Sequence, residues 1–203
     1  MNAQRKEKLG NYLTNYKERL TEVLSQINVD TLEQITSELI RAFKSKKTIY
    51  IIGNGGSAAT ASHMQADFGF FVRYFSKFRP TIIALTDNVP IITAVGNDNA
   101  FEDVFLEQLR GRFNPNDILI AISASGNSPN LLKAADYANS RKGITISLTG
   151  FDGGKLKDIS KICLFTPNNK GDYGTIEDTH MIVNHVIINY LSHDEEFLAI
   201  PEN

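Results

Sequence analysis

Residues 48–57 read TIYIIGNGGS, and residues 117–128 read DILIAISASGNS. Both are β-branched runs that break into glycine and small hydroxylated residues and then enter helical sequence. A strand that ends in this way builds an anion cradle. Glycines let backbone N–H groups turn inward, serines add O–H donors, and the start of the following helix adds partial positive charge. A phosphate ester is the natural occupant. One Gly/Ser-rich turn is a common feature, but two at strand-to-helix junctions of one chain point to a phosphate-binding α/β domain.

The rest of the chain repeats that rhythm. Strand candidates lie at 48–52, 81–85, 117–122, 144–148 and 162–166. They are short, continuous and rich in isoleucine, as expected of strands covered on both faces. Helical patterns separate them at 58–70, 90–95 with 101–109, 130–139 and 155–159, and a last helix is predicted over 174–192. Five parallel strands joined by right-handed crossovers make a doubly wound sheet sandwiched by helices. Ligands bind such sheets beyond the carboxyl ends of the strands, where both cradles fall. Two more helices precede the first strand. Leu9, Tyr12, Leu13, Tyr16, Leu20, Val23, Leu24 and Ile27 line one, and Leu32, Ile35, Leu39, Ile40 and Phe43 line the next. They exceed what a compact α/β sandwich needs and are expected to pack against a second subunit, the alternative being an outer cover on the same domain; the whole chain, 1–203, is expected to be one domain. Within it, 1–46 is a helical oligomerisation segment and 47–203 the α/β core.

Composition narrows the function. A chain of 203 residues, 42% hydrophobic and with net charge −2, can bury one large core but carries no basic stripe for nucleic acid or an anionic membrane surface. The densest positive stretch, 41–47, ends a predicted helix, where cations suit the carbonyl end of the dipole. Cys163 is the single cysteine and reads as a small core residue of the last strand, which excludes an internal disulfide or a cysteine-rich zinc site. The first ten residues are polar and no stretch is long enough to span a bilayer, so a cytoplasmic location is expected.

Three of the four histidines stand in helices beside carboxylates. His63 and Asp67 are four apart and share a helix face. Glu177 and His185 are eight apart in the last helix, about 80° in azimuth, with His180 three residues after Glu177 and Asp178 seven before His185. Such pairs on two facing helices can hold a divalent metal. They can equally shuttle protons, or simply be tied up in surface hydrogen bonds. His193 reads as a solvated residue at the helix end. Residues 96–99, GNDN, read as the N-cap of the 101–109 helix or as a polar wall reaching substrate hydroxyls. Residues 149–154, TGFDGG, read as a turn and helix start.

Taken in order, GNGGSAA at 53–59, His63, GND at 96–98, SASGNS at 123–128, LTG at 148–150 and EDTH at 177–180 resemble the sugar isomerase (SIS) domain family, over almost the whole chain. The nearest resemblance is to the phosphoheptose isomerases, which interconvert sedoheptulose 7-phosphate and D-glycero-D-manno-heptose 7-phosphate through an enediol. The resemblance implies that Ser123, Ser125 and Ser128, with the backbone around Ala124 and Gly126, hold the phosphate. It also implies that Asn54, Gly55, Ser57 and Asp98 meet the sugar. It places a zinc ion, one per subunit, on His63, Asp67, Glu177 and His185, with Asp67, His185 and Glu177 as the acid–base groups. It further implies a homotetramer with active sites between subunits.

The chain also departs from the family pattern. Asp67 stands where a glutamate is usual, which retracts the carboxylate by about 1.5 Å. Glu177 replaces a neutral glutamine, Thr60 stands where an aspartate is common, and 70–72 (FFV) replaces a Gly-Arg segment. The pattern suggests a divergent isomerase in heptose or surface-polysaccharide precursor synthesis. The alternatives are an isomerase of another phosphosugar, or a non-catalytic SIS protein that binds a sugar phosphate or a protein partner. The first loop lacks the dinucleotide fingerprint, which argues against hydride transfer, and a P-loop is excluded because no Gly-Lys-Ser/Thr follows either cradle.

Overall fold

The computed structural model describes residues 2–202. Its elements run α1 (Asn2–Ser25), α2 (Val29–Lys44), β1 (Thr48–Gly53), α3 (Gly56–Phe70), β2 (Thr81–Ala84) and α4 (Val89–Asp98). They continue through α5 (Leu106–Leu109), β3 (Ile118–Ser123), α6 (Pro129–Ser140), β4 (Ile144–Thr149), α7 (Gly154–Ile159), β5 (Ile162–Phe165), α8 (Tyr173–Leu191) and α9 (Glu195–Leu198). The five strands are all parallel, in the order β2-β1-β3-β4-β5. The strand order reverses between β1 and β3. Those are the two strands that end in the cradles, so both loops flank the crevice where such sheets bind ligands.

Alternation along the strands divides the core. Ile49, Ile51, Ile118, Ile120, Ile122, Ile146 and Leu148 face α2, α3 and α8, where they meet Leu39, Phe43, Met64, Phe68 and Ile187. Tyr50, Ile52, Leu119 and Ala121 face the other way, onto Val104, Leu109, Leu131, Ala135 and Leu156. Each fully buried Ile or Leu contributes roughly 1.5–3 kcal/mol of apolar transfer, so the two faces of the sheet carry most of the stability. Asp117, read as the first residue of β3, instead stands just outside the strand. Its carboxylate accepts from the backbone N–H of Thr48 at 3.0 Å and of Asn114 at 2.8 Å, which ties the starts of β1 and β3 together.

The structure corrects four expectations. First, α2 is no spare helix: Ile35, Leu39, Ile40 and Phe43 are buried in the core, and Phe43 stacks edge-on against Phe197 of α9 at 5.6 Å. Only the first half of α1 stands clear, with Leu9, Tyr12 and Leu13 exposed; its second half is held by Val23 against Ala124, Phe151 and Ile176. Second, the helix over 101–109 is broken into a 3₁₀ turn, Phe101–Asp103, and the single turn α5. The break lets the adjacent residues Val104 and Phe105 both bury while Glu102 and Asp103 reach Lys133. Third, residues 96–98 do not cap that helix. They finish α4, and the Asn99 N–H donates back to Val95 at 2.9 Å. Fourth, Cys163 is half-buried on the edge strand, 3.2 Å from the Thr149 hydroxyl.

Candidate active site

The two cradles are joined by a reciprocal amide pair. Asn54 Nδ2 donates to Asn130 Oδ1 at 3.0 Å, and Asn130 Nδ2 donates to Asn54 Oδ1 at 2.9 Å. Asn130 lies in the first turn of α6, so this pair holds the β1 loop against the start of that helix. The sequence reading missed Asn130; its place two residues after the SASGNS loop was the available signal.

The second cradle is shaped from within and from outside. The Gly126 N–H donates to Ser123 Oγ at 3.0 Å and the Asn127 N–H to Ser125 Oγ at 3.3 Å. Gly126 adopts φ +63°, and a Cβ there would overlap the Gly153 carbonyl, so glycine is required by both conformation and space. From the neighbouring turn, the Leu156 N–H donates to Gly126 O at 2.9 Å and the Lys155 N–H to Asn127 Oδ1 at 3.1 Å. The expected turn after β4 thus serves as the outer brace of the cradle. Ser128 caps α6 by its backbone and leaves its hydroxyl out of the cap.

A cleft of about 160 Å³ opens between these loops, lined by Asn54, Ser57, Ser123, Ala124, Ser125, Ser128, Tyr173 and Glu177. Tyr173 was not anticipated. It stands one turn before Glu177 on α8, and its ring packs edge-on against Phe151 at 5.0 Å. A larger hollow of about 410 Å³ between α2 and α8 is mainly apolar and lies away from both cradles. Of the sequence-predicted sugar contacts, Gly55 turns the loop at φ +56° as the N-cap of α3 and does not line the cleft. Asp98 is also outside the cleft. It sits exposed at the end of α4, accepting from the Asn97 amide at 2.8 Å.

Helices α3 and α8 lie side by side in the same sense. Near their starts, Glu177 lays its carboxylate over Gly56, so closely that a Cβ on Gly56 would overlap it. Two turns further on, His63 Nε2 and His185 Nε2 come within 2.9 Å of each other. Asp67 Oδ2 lies 3.4 Å from His63 Nε2 and 3.9 Å from His185 Nε2. Eight residues of helix amount to a rise of about 12 Å, and this divides the four expected ligands. His63, Asp67 and His185 form a group whose ligand atoms all lie within 4.8 Å of one another, whereas Glu177 belongs to the cleft and not to that group. The donor set suits a divalent ion. Tetrahedral zinc with bonds of about 2.0–2.1 Å places its ligand atoms roughly 3.3 Å apart, within the spread of the three separations found here.

His180, grouped with Glu177 in the sequence reading, turns away from both sites. It is 1% exposed, and burial pushes its pKa down to about 4, so it is a neutral core residue. Asp178 instead accepts from the Tyr16 hydroxyl at 2.6 Å, fastening α1 to α8; burial and that carboxylate together push the Tyr16 pKa up to about 12. His193 is exposed beyond the end of α8, as expected.

Comparison with known proteins agrees with this fold. The family model described as "SIS domain" matches residues 11–150. Phosphoheptose isomerase 2 of Campylobacter jejuni is 37% identical over 169 residues, covering 82% of each chain. A phosphoheptose isomerase of Nitratiruptor sp. is 39% identical over 160 residues, covering 78% of this chain and 82% of its own. Among solved structures, the phosphoheptose isomerase GmhA of Neisseria gonorrhoeae superposes with a TM-score of 0.83 at 29% identity, over 93% of this chain and 99% of that one.

Proposed function

Because the chain belongs to the SIS-domain family and, within it, to the phosphoheptose isomerases, we propose that it interconverts sedoheptulose 7-phosphate and D-glycero-D-manno-heptose 7-phosphate. It is a phosphosugar aldose–ketose isomerase, and the product is a precursor for heptose-containing surface polysaccharide. The observation that carries the reading is the shared cleft: three cradle serines and the Glu177 carboxylate line one opening.

The ketose phosphate is held by its phosphate on Ser123, Ser125, Ser128 and the α6 N-terminus, with Asn54 and Ser57 on the sugar. Glu177 is the base. It removes a proton from C1 while O2 gains one, giving the enediol. It then returns a proton to C2 while O1 loses one, giving the aldose. Asp67 is less suited to that task, because its Oδ2 already faces two imidazoles and accepts the Asn184 amide. His185 lies two turns further along α8, in the metal-binding group, so the oxygen-bound proton passes between O1 and O2 by way of solvent. His63, Asp67 and His185 are the residues to hold zinc, one per subunit. Zinc held there would supply Lewis acidity, favouring negative charge on an oxygen brought to it.

A homotetramer with sites at subunit borders is supported by the uncovered Leu9, Tyr12 and Leu13 of α1, and by Asp98, which is exposed and does not line the serine cleft. A cytoplasmic location suits a phosphosugar substrate, and no described helix is long and apolar enough to cross a membrane.

The test is incubation of zinc-loaded protein with sedoheptulose 7-phosphate in D₂O, followed by NMR. Deuterium at C2 of a new aldoheptose phosphate is the expected result. A folded, metal-loaded sample giving neither exchange nor product overturns the reading.

A further inference from the structure

Asn184 precedes His185 on α8, but the two side chains diverge. His185 is exposed, whereas Asn184 is 0% exposed and points into the protein beside Val183, Ile187 and Ile188, all buried and apolar. Its Nδ2 donates to Asp67 Oδ2 at 2.6 Å. That oxygen is the one facing both imidazoles. We propose that Asn184 is a positioning residue that fixes the Asp67 carboxylate in the orientation completing the His63–Asp67–His185 metal-binding group. The inference rests on the metal reading of that group given above.

Three observations support it. The terminal torsion of aspartate is soft and nearly two-fold, so a carboxylate without a donor samples both orientations. A charge-assisted bond to one oxygen selects a single orientation. The same bond runs from α8 to α3, so it also sets the spacing between the helix that carries His185 and the helix that carries His63. Finally, the Oδ1 of Asn184 is buried and accepts no hydrogen bond from the described residues. An unpaired buried acceptor is destabilising, and an apolar side chain would serve packing alone better. The amide is explained by what its Nδ2 holds. Partners that orient a metal ligand in this way typically matter about 10–100-fold in metal affinity.

The experiment compares wild type, Asn184→Leu, Asp67→Ala and the double variant. Each is titrated with zinc against a chromophoric chelator and with Co²⁺ by visible absorption, after melting of the metal-free proteins establishes folding. The inference expects Asn184→Leu to bind zinc about 10–100-fold more weakly, with altered Co²⁺ bands. In the Asp67→Ala background the same change should have little further effect. Unchanged affinity and spectrum in Asn184→Leu overturn it, as does a loss of equal size in the Asp67→Ala background. Wild type that binds neither ion sinks the metal reading itself and this inference with it. Should Asn184→Leu not fold, Asn184→Ala carries the same comparison.

Discussion

His63 and His185, 122 residues apart in the chain, meet with their Nε2 atoms 2.9 Å apart and their rings crossed at 78°. Two imidazole nitrogens at this distance either share one proton or face a common cation, and the Asp67 carboxylate beside them supplies a third ligand atom for the cation. Zinc at a hundred times its dissociation constant should stabilise the fold by about 2.7 kcal/mol. For a chain of this size that is a rise in melting temperature of roughly 5–10 °C. Calorimetry with and without zinc checks this, and a double His63→Ala/His185→Ala variant should lose the shift. An unchanged shift in that variant would place the ion elsewhere.

Glu177→Gln should lower kcat by about 10²–10⁴-fold with little change in KM or melting temperature, because it removes a proton acceptor while leaving its shape. Gly56→Ala tests the same carboxylate from the other side: its Cβ would displace Glu177, and kcat should fall while phosphate binding persists. Steady-state kinetics with sedoheptulose 7-phosphate decides both. Full activity in Glu177→Gln would transfer the role to Asp67.

Of the cradle serines, Ser128 gives the cleanest test, because its hydroxyl takes no part in capping α6. Ser128→Ala should reduce kcat/KM by about 1.5–3 kcal/mol, the worth of a hydrogen bond to a charged group. The loss should fall mainly on KM, and inorganic phosphate should inhibit the variant less than wild type. Ser123→Ala also removes the acceptor of the Gly126 N–H, so it should lower the melting temperature as well.

Buried His180 makes stability depend on pH. Its pKa is about 4 when folded against an ordinary 6.5, so between those values the unfolded chain binds more protons. The stabilisation is full above about pH 6.5 and is lost as pH falls toward 4, up to about 3 kcal/mol in all. Urea unfolding of wild type and His180→Leu across that window should show the smaller pH dependence in the variant. Equal slopes would mean that His180 is accessible to protons in the folded state.

The exposed stripe of α1 bears on assembly. Leu9 is 67% and Leu13 is 51% exposed. A Leu9→Asp/Leu13→Asp variant should sediment as a smaller species than wild type, with the far-ultraviolet circular dichroism of the core retained. The same sedimentation profile for both would move the interface to other surfaces.

Much of the fold was legible in the residues. The isoleucine runs at 48–52 and 117–122 end in glycine and serine because a strand, a tight turn and a helix start need those side chains locally. Both cradles therefore lie where the sequence put them, and the spacing of four between His63 and Asp67 already set them on one face of α3. Residues 101–109 misled because Val104 and Phe105 both had to be buried, and tertiary packing overrode the helical period. Asn130, Tyr173 and Asn184 went unseen because each acts through a partner far away in the chain.

Sequence alone therefore determined most of the elements, their order and the chemical character of the two loops, since these follow from interactions between near neighbours along the chain. Tertiary structure decided the pairings. The packing of α3 beside α8 brought His63 and Asp67 to His185 and carried Glu177 two turns away to the cleft. The burial of Phe43 and Leu39 made α2 part of the core and left the start of α1 uncovered. Distances between helices are set by how side chains interlock across the core, a property of the whole packed molecule that no local window of residues contains.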